Sequence, residues 1–221
     1  MSAYIVLEGL IVSRNRFYLC VTLLFLGGFI FSVSNAFSQS SQLGSISGEI
    51  THPIMRRYMG AVFIGEIDGI QFNADENQPV MDQVNLRFTP HVLPVLQGST
   101  VQFPNSDEIR HHVYTSTSSV CQFELGVYEA GIVKEQKCDT PGLITLLCNV
   151  HAEMKGFIIV SPTPHFSTTD RNGSFRIEAV PEGTYTLHFE HERLMVDPIT
   201  VHVIPDQETE VDFGKPRRRK P

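Results

Sequence analysis

The sequence has little that would build helices, and after residue 36 it has no apolar run long enough to cross a membrane. Few segments space apolar residues by three and four. Short runs of valine, isoleucine and phenylalanine instead alternate with polar residues and stop at glycine, proline, asparagine or aspartate. The chain also lacks a phosphate-binding glycine loop, a Ser/His/Asp arrangement and a recognisable pair of catalytic carboxylates. These absences favour an all-β protein that is not an enzyme.

Positive charge is scarce in the body of the chain. Residues 1–36 contribute +1 and residues 215–221 contribute +5 to a formal net charge of −7, which leaves −13 on residues 37–214. A body of that charge repels a phosphate backbone, so nucleic acid is excluded as a partner. The run of lysine and arginine at residues 215–221 is typical of a disordered basic tail.

The first 36 residues have the pattern of a signal peptide. Arg14 and Arg16 precede an apolar run at residues 17–33, and residues 34–36 place small side chains where a signal peptidase cleaves. Cleavage would begin the mature chain near Phe37 and place the protein in the periplasm or another exported space. The apolar run is longer than that of an ordinary signal peptide, so an uncleaved membrane anchor is the alternative.

Cysteine is sparse, and its distribution is informative. The chain has four cysteines, of which Cys20 falls in the predicted signal peptide. In an oxidising compartment Cys121 and Cys138 could form a disulfide, which would leave Cys148 unpaired. Which two of the three mature cysteines pair is a question of distance that the sequence leaves open. An unpaired thiol in an exported protein needs protection or a use, and a metal bond supplies both.

A soft metal-binding pattern follows a short apolar run. Cys148, His151 and Met154 place a thiolate, an imidazole and a thioether within seven residues. Copper that alternates between Cu(II) and Cu(I) is served by a trigonal His₂Cys plane with a long axial methionine. Zinc would want a fourth strong ligand and rarely takes a thioether. A second histidine must come from elsewhere, and His111 and His112 are the candidates upstream.

Residues 84–161 resemble a cupredoxin, the family of plastocyanin, pseudoazurin and amicyanin. The resemblance is carried by the strand, glycine turn and strand at 88–105, by the strand at 141–148 and by the closing segment at 154–160. The two-residue spacings from Cys to His and from His to Met are similar to the short ligand loop of amicyanin. His112 stands where the family often has an asparagine beside the first ligand.

The resemblance implies an all-β Greek-key barrel with one type 1 copper ion. The ligands it implies are His111, Cys148 and His151 in the equatorial plane and Met154 on the axis. His111 is preferred because the family's ligand lies two residues before the valine, and His112 is its rival. A degenerate domain without copper is the alternative.

Residues 44–72 and 163–214 resemble the two ends of one module. The patterns Gly-x-Ile-x-Gly, Asp-x-Asn-Gly-x-Phe and Val-Pro-x-Gly-x-Tyr-x-Leu are similar to the carboxypeptidase-regulatory-like, transthyretin-type β-sandwich. We therefore predict that a cupredoxin domain at 80–161 is inserted between the second and third strands of this sandwich. That arrangement requires residues 44–70 to pair with strands beyond 165. A single enlarged cupredoxin is the alternative.

These features predict an exported type 1 copper protein that carries single electrons to and from a transient redox partner. Four protein ligands would leave no position for a substrate. Val150 and Ala152 flank His151 and are expected to form part of a small apolar docking patch. The alternatives are a copper-delivery protein that uses the same ligands, and a non-redox binding module with a vestigial copper domain.

Overall fold

The computed structural model describes residues 42–74 and 78–219, so the predicted signal peptide lies outside the described residues. The all-β prediction is confirmed, because the regular structure of these residues consists of strands and one 3₁₀ turn at Pro53–Arg56. No helix in this part of the chain has the length and apolar character that a membrane crossing needs.

The strands fall into three groups along the chain. The first contains β1 (Leu43–Glu49) and β2 (Ala61–Ile64). The second contains β3 (Asp82–Gln83), β4 (Phe88–Thr89), β5 (Val92–Leu96), β6 (Thr100–Pro104), β7 (His111–Thr115), β8 (Glu124–Tyr128), β9 (Val133–Lys137), β10 (Gly142–Cys148) and β11 (Lys155–Ser161). The third contains β12 (Phe166–Thr168), β13 (Ser174–Pro181), β14 (Gly183–Glu190), β15 (Leu194–Met195), β16 (Ile199–Val203), β17 (Glu208–Val211) and β18 (Arg217–Arg218).

Strands β3 to β11 form what we call the inner body. Its largest sheet has the order β5, β11, β10, β7, β8, in which β5 and β11 run parallel and the other neighbours run antiparallel. Strand β6 pairs with β9, and β3 pairs with β4. Burial alternates along β10, so Ile144, Leu146 and Cys148 all face the core. The period of two therefore delivers the thiol of Cys148 to the interior at the end of the strand.

The remaining strands form the outer body, which the chain enters twice. Strand β1 lies between β13 and β17, and β2 lies between β12 and β14. The chain therefore leaves the outer body after β2 and returns to it at β12. This is the pairing that insertion of one sandwich into another requires.

Three clusters of buried apolar side chains stabilise the two bodies and the junction between them. One fills the outer body and a second fills the inner body, where it includes Cys148 and Met154. The third lies at the junction, where Ala61 and Phe63 of β2 pack against Val92, Phe157 and Ile159 of β5 and β11. Burying a large apolar side chain contributes roughly 1.5–3 kcal/mol. The junction therefore fixes β2 against β5 and against β11, the strand that follows the ligand loop.

The disulfide prediction is confirmed. Cys121 and Cys138 are bonded, with their Cα atoms 5.9 Å apart, and Cys148 is a free, buried cysteine. The bond ties the segment before β8 to the end of β9. It leaves the thiol of Cys148 available to the cluster of histidines described below.

The basic tail differs from the expectation of disorder. Strand β18 pairs antiparallel with β15, and the backbone N–H of Arg219 donates to the carbonyl of Arg193 at 2.8 Å. Arg217 forms an ion pair with Asp197, and Arg219 forms one with Glu190. The prediction of a disordered tail is therefore wrong for residues 215–219. Ion pairs with acidic groups of the outer body and pairing with the edge of β15 keep this segment in place.

Candidate metal centre

The first candidate ligand is positioned by the register of β7. Burial alternates along this strand, so His111 and Val113 face the core and His112 faces outward. Val113 lies opposite Cys148 of β10, which brings the start of β7 beside the end of β10. His112 instead places its Nε2 2.7 Å from the carboxylate of Glu124 on the exposed surface. Of the two rivals, only His111 reaches the interior beside Cys148.

The loop after β10 brings His151 to the same point. The N–H of Asn149 donates to the carbonyl of His112 at 3.1 Å, and the N–H of Met154 donates to the carbonyl of His151 at 3.0 Å. These two bonds close the loop into a short turn. The turn returns the chain to β11 and keeps His151 beside the thiol.

Three donor atoms converge there. The sulfur of Cys148 lies 3.7 Å from Nδ1 of His111 and 3.8 Å from Nδ1 of His151, and the two nitrogens are 3.2 Å apart. His111 and Cys148 are buried, whereas His151 is partly exposed. A nitrogen lone pair that faces another ring nitrogen at 3.2 Å is favourable only when a proton or a metal cation lies between them. The triangle therefore has the composition and convergence of a metal-binding set.

Asp107 fixes the tautomer of His111. Nε2 of His111 lies 2.8 Å from Oδ2 of Asp107, and because an ionised carboxylate only accepts, this nitrogen carries the proton. Nδ1 is then left with its lone pair toward Cys148. Burial by itself would raise the pKa of Asp107, but hydrogen bonds from the N–H of Leu86, from His111 and from the N–H of Asn85 lower that pKa overall. Asp107 is thus an ionised partner of a candidate ligand.

Asn105 closes the loop that leads to His111. Its amide nitrogen donates to the carbonyls of Ile109 at 2.8 Å and Tyr128 at 3.3 Å, and its side-chain oxygen accepts from the N–H of Asp107 at 3.1 Å. Neither Asp107 nor Asn105 is among the site residues that the sequence predicts. The four-residue spacing between Asp107 and His111 was the available signal, but it lies in an irregular loop where no periodicity applies.

The axial candidate, Met154, is buried in the inner core. It belongs to the same apolar cluster as Cys148 and Tyr128. The hydroxyl of Tyr128 donates to the carbonyl of Phe103 at 3.2 Å and contacts the amide of Gln83, and burial raises the pKa of Tyr128 to about 12. The phenol therefore stays neutral beside the thiol.

The donor set fits copper. It combines one soft sulfur with two imidazole nitrogens, and the buried Met154 is the candidate for a weak axial ligand. Neither candidate nitrogen accepts a backbone N–H from any residue in the described ranges, so the backbone does not compete with a metal ion for them. Zinc would require a fourth strong donor, and the three-residue cluster contains none.

Comparison with known proteins gives structural likenesses only. No family profile matches the chain, and no curated protein matches it. Among solved structures, a copper-containing nitrite reductase from Thermus scotoductus SA-01 is 22% identical with a TM-score of 0.38, covering 45% of this chain and 25% of that one. The match therefore spans about a quarter of the nitrite reductase.

Two further structural neighbours are small cupredoxins. A purple cupredoxin from Nitrosopumilus maritimus is 20% identical with a TM-score of 0.35, and the match covers 39% of this chain and all of the other. A reduced amicyanin variant is 18% identical with a TM-score of 0.36, over 45% of this chain and 98% of the other. The carboxypeptidase-regulatory-like resemblance of the outer body has no counterpart among these neighbours. These partial likenesses have TM-scores below 0.5 and are not used to identify the metal.

Proposed function

We propose that the protein is an exported type 1 copper protein that carries single electrons. The observation that supports this most directly is the convergence of Cys148 Sγ with Nδ1 of His111 and of His151. A copper ion held by these side chains and by Met154 would supply a one-electron couple between Cu(II) and Cu(I). The protein then acts as a carrier and has no substrate of its own.

Residues around the candidate ligands support that role because they fix the positions of the ligand side chains. Asp107 and Asn105 fix the ring and the loop of His111, and the neutral phenol of Tyr128 adds no charge beside the thiol. A site that changes little between two oxidation states exchanges electrons with little reorganisation. The burial of Cys148 and His111 also favours retention of the metal over delivery to another protein.

The exposed end of the ligand loop is the proposed contact with a redox partner. Val150 is 48% exposed, Ala152 is exposed, and His151 between them is partly exposed. A small apolar patch of this kind suits a short-lived complex. Residues 1–36 supply the proposed export signal, and they place the partner in the periplasm or another exported space.

The test is the visible spectrum of the purified protein after addition of Cu(II). We expect an intense thiolate-to-copper band that disappears on reversible reduction, and Cys148→Ser abolishes it because a hydroxyl cannot replace the Cu–S bond. His112→Ala serves as a matched control, since it removes the neighbouring imidazole that faces outward toward Glu124. A colourless protein that binds Cu(I) would favour copper delivery, and a protein that takes up no copper would contradict the proposal.

A further inference from the structure

A continuous groove lies where the outer body meets the inner body, beside the ligand loop. One part of it has a volume of about 560 Å³ and reaches Met154, and the adjoining part has a volume of about 710 Å³ and reaches Arg218 and Arg219. Five residues line both parts, namely Arg57, Tyr58, Lys155, Glu192 and Arg193. We call this feature the basic groove.

The groove concentrates positive charge in an acidic protein. Seven of the chain's 17 lysines and arginines line it, against two carboxylates, although the whole chain has a formal net charge of −7. Arg57 and Lys155 are exposed, and neither forms an ion pair with a carboxylate of the described residues. Arg87 and Arg171 extend the same wall toward the ligand loop. Unneutralised cations in a concave site attract anionic groups.

A buried carboxylate in the groove makes no hydrogen bond at one oxygen, and the nearest histidine nitrogen, Nε2 of His91, is also without a hydrogen bond. The side chain of Glu192 is 8% exposed, and its Oε1 accepts no hydrogen bond. The nearest charged groups are Nε2 of His91 at 3.5 Å and Nε of Arg193 at 3.7 Å, and the guanidinium of Arg193 is held over the ring of Tyr58 at 4.3 Å from the ring centre. An acceptor left without a donor costs about 1–3 kcal/mol when it is buried. Burial would raise the pKa of Glu192, but His91 and Arg193 lower that pKa overall, so the acceptor is ionised.

These two requirements specify the chemistry of a ligand. The exposed cations favour anionic acceptors along both parts of the groove, and the free oxygen of Glu192 favours an N–H donor between them. A polypeptide rich in aspartate and glutamate supplies both, through its side-chain carboxylates and its backbone N–H groups. A polyphosphate chain supplies acceptors alone. We propose that the basic groove is a docking site for an acidic polypeptide segment, and that this segment belongs to the redox partner.

The groove places such a segment against the ligand loop. Ala152, Glu153 and Met154 form part of its wall, so a partner held there would contact the loop that also carries His151. The identity of the partner as a redox protein rests on the proposed function. The binding of an acidic segment does not rest on the proposed function, because the positive charge of the groove is the same with or without a bound metal ion.

The test is fluorescence anisotropy of labelled hexaglutamate with the full chain, measured with and without Cu(II). We expect binding that weakens as salt rises, because the charges are exposed. Lys155→Glu is expected to weaken binding about threefold, and the double variant Arg57→Glu/Lys155→Glu about tenfold. Lys134→Glu is the matched control: Lys134 is an exposed lysine of β9 that does not line the groove, and its reversal leaves the affinity unchanged. Both groove residues are exposed, so the variants should unfold at the same temperature as the parent.

Two outcomes would overturn the proposal. Equal weakening by Lys134→Glu and Lys155→Glu would mean that total charge governs binding and that no groove is involved. Polyphosphate of the same charge that binds as tightly as hexaglutamate would exclude a polypeptide as the favoured class. The two proposals can fail separately. Peptide binding without copper uptake would support the docking site and contradict the proposed electron carrier. A copper band without peptide binding would support the electron carrier and contradict the docking site.

Discussion

His111 in the inner body and His191 in the outer body are both buried, with 0% and 1% of their surface exposed. Each directs Nε2 at an oxygen, Asp107 Oδ2 at 2.8 Å for His111 and the carbonyl of Tyr58 at 3.0 Å for His191. They differ at Nδ1. In His191 this nitrogen accepts the backbone N–H groups of Arg193 and Leu194 at 2.9 and 3.0 Å, whereas in His111 it faces a thiol and a second imidazole.

The difference shows how to separate a structural histidine from a ligand. A buried imidazole whose two nitrogens are both occupied by protein groups has no lone pair left for a metal. His191 is in that state, and burial lowers its pKa, so it remains a neutral hydrogen-bonding element. His111 has one nitrogen fixed by a carboxylate and the other left for coordination.

The largest effects should come from removing each of these two histidines in turn. His111→Ala is expected to abolish tight copper binding, and it should also lower the free energy of unfolding of the metal-free protein by about 1–3 kcal/mol, since it takes one partner from Asp107. His191→Ala should keep the copper spectrum but lower the free energy of unfolding by about 2–4 kcal/mol, since it leaves two N–H groups and one carbonyl without partners. Copper titration and urea unfolding of both variants measure this. Loss of copper in both, or in neither, would contradict the comparison.

A second prediction concerns the carboxylate that orients His111. Asp107→Asn is expected to lower copper affinity about 10–100-fold, because the amide no longer holds the ring and its tautomer as an anion does. Glu108→Gln is the control, since it removes one negative charge from an exposed neighbouring position. Competition with a copper chelator measures both. Equal losses in the two variants would show that Asp107 acts through net charge alone.

A third prediction concerns the axial position. Met154→Gln is expected to retain the thiolate band and lower the reduction potential, because an amide oxygen favours Cu(II) more than a thioether does. Met154→Leu keeps the volume and removes the donor, so it should shift the potential upward. Spectroelectrochemical titration gives both values. Loss of all copper from Met154→Gln would count against an axial role.

The smallest effect should be a dependence of outer-body stability on pH. Burial lowers the pKa of His188, which stacks on Phe63 with ring centres 5.3 Å apart, and it also lowers the pKa of His165 and His191. The unfolded chain then binds protons more readily than the folded one, so stability falls as pH drops below about 6.5. Urea midpoints of the metal-free protein at pH 7.5 and 5.5 should differ less for His188→Gln than for the parent. An identical difference would exclude His188 as a contributor.

Much of this arrangement could be predicted from local pattern. The spacing of Cys148, His151 and Met154 indicated soft ligands on one loop, and the alternation of apolar residues indicated strands. The choice between His111 and His112 also had a local signal, because the inward side of Val113 requires His111 to face inward too. Each of these features depends on residues that are close in sequence.

The parts that sequence missed depend on the tertiary path of loops. Asp107 contacts His111 only because Asn105 folds the intervening loop, and no periodicity describes that path. The basic tail becomes ordered because Asp197 and Glu190 lie beside a free strand edge. A local charge run indicates repulsion and disorder when its partners are distant in the chain.

The position of the inner body also has a consequence for the order of folding. Strand β2 ends at Ile64 and β12 begins at Phe166, so 101 residues must be bridged before the outer body can close. Closing a flexible loop of that length is slow and entropically costly. An inner body that folds first replaces the flexible loop with a rigid unit. We therefore expect the inner body to fold as the nucleus, with the outer body assembling around it as the last strands arrive.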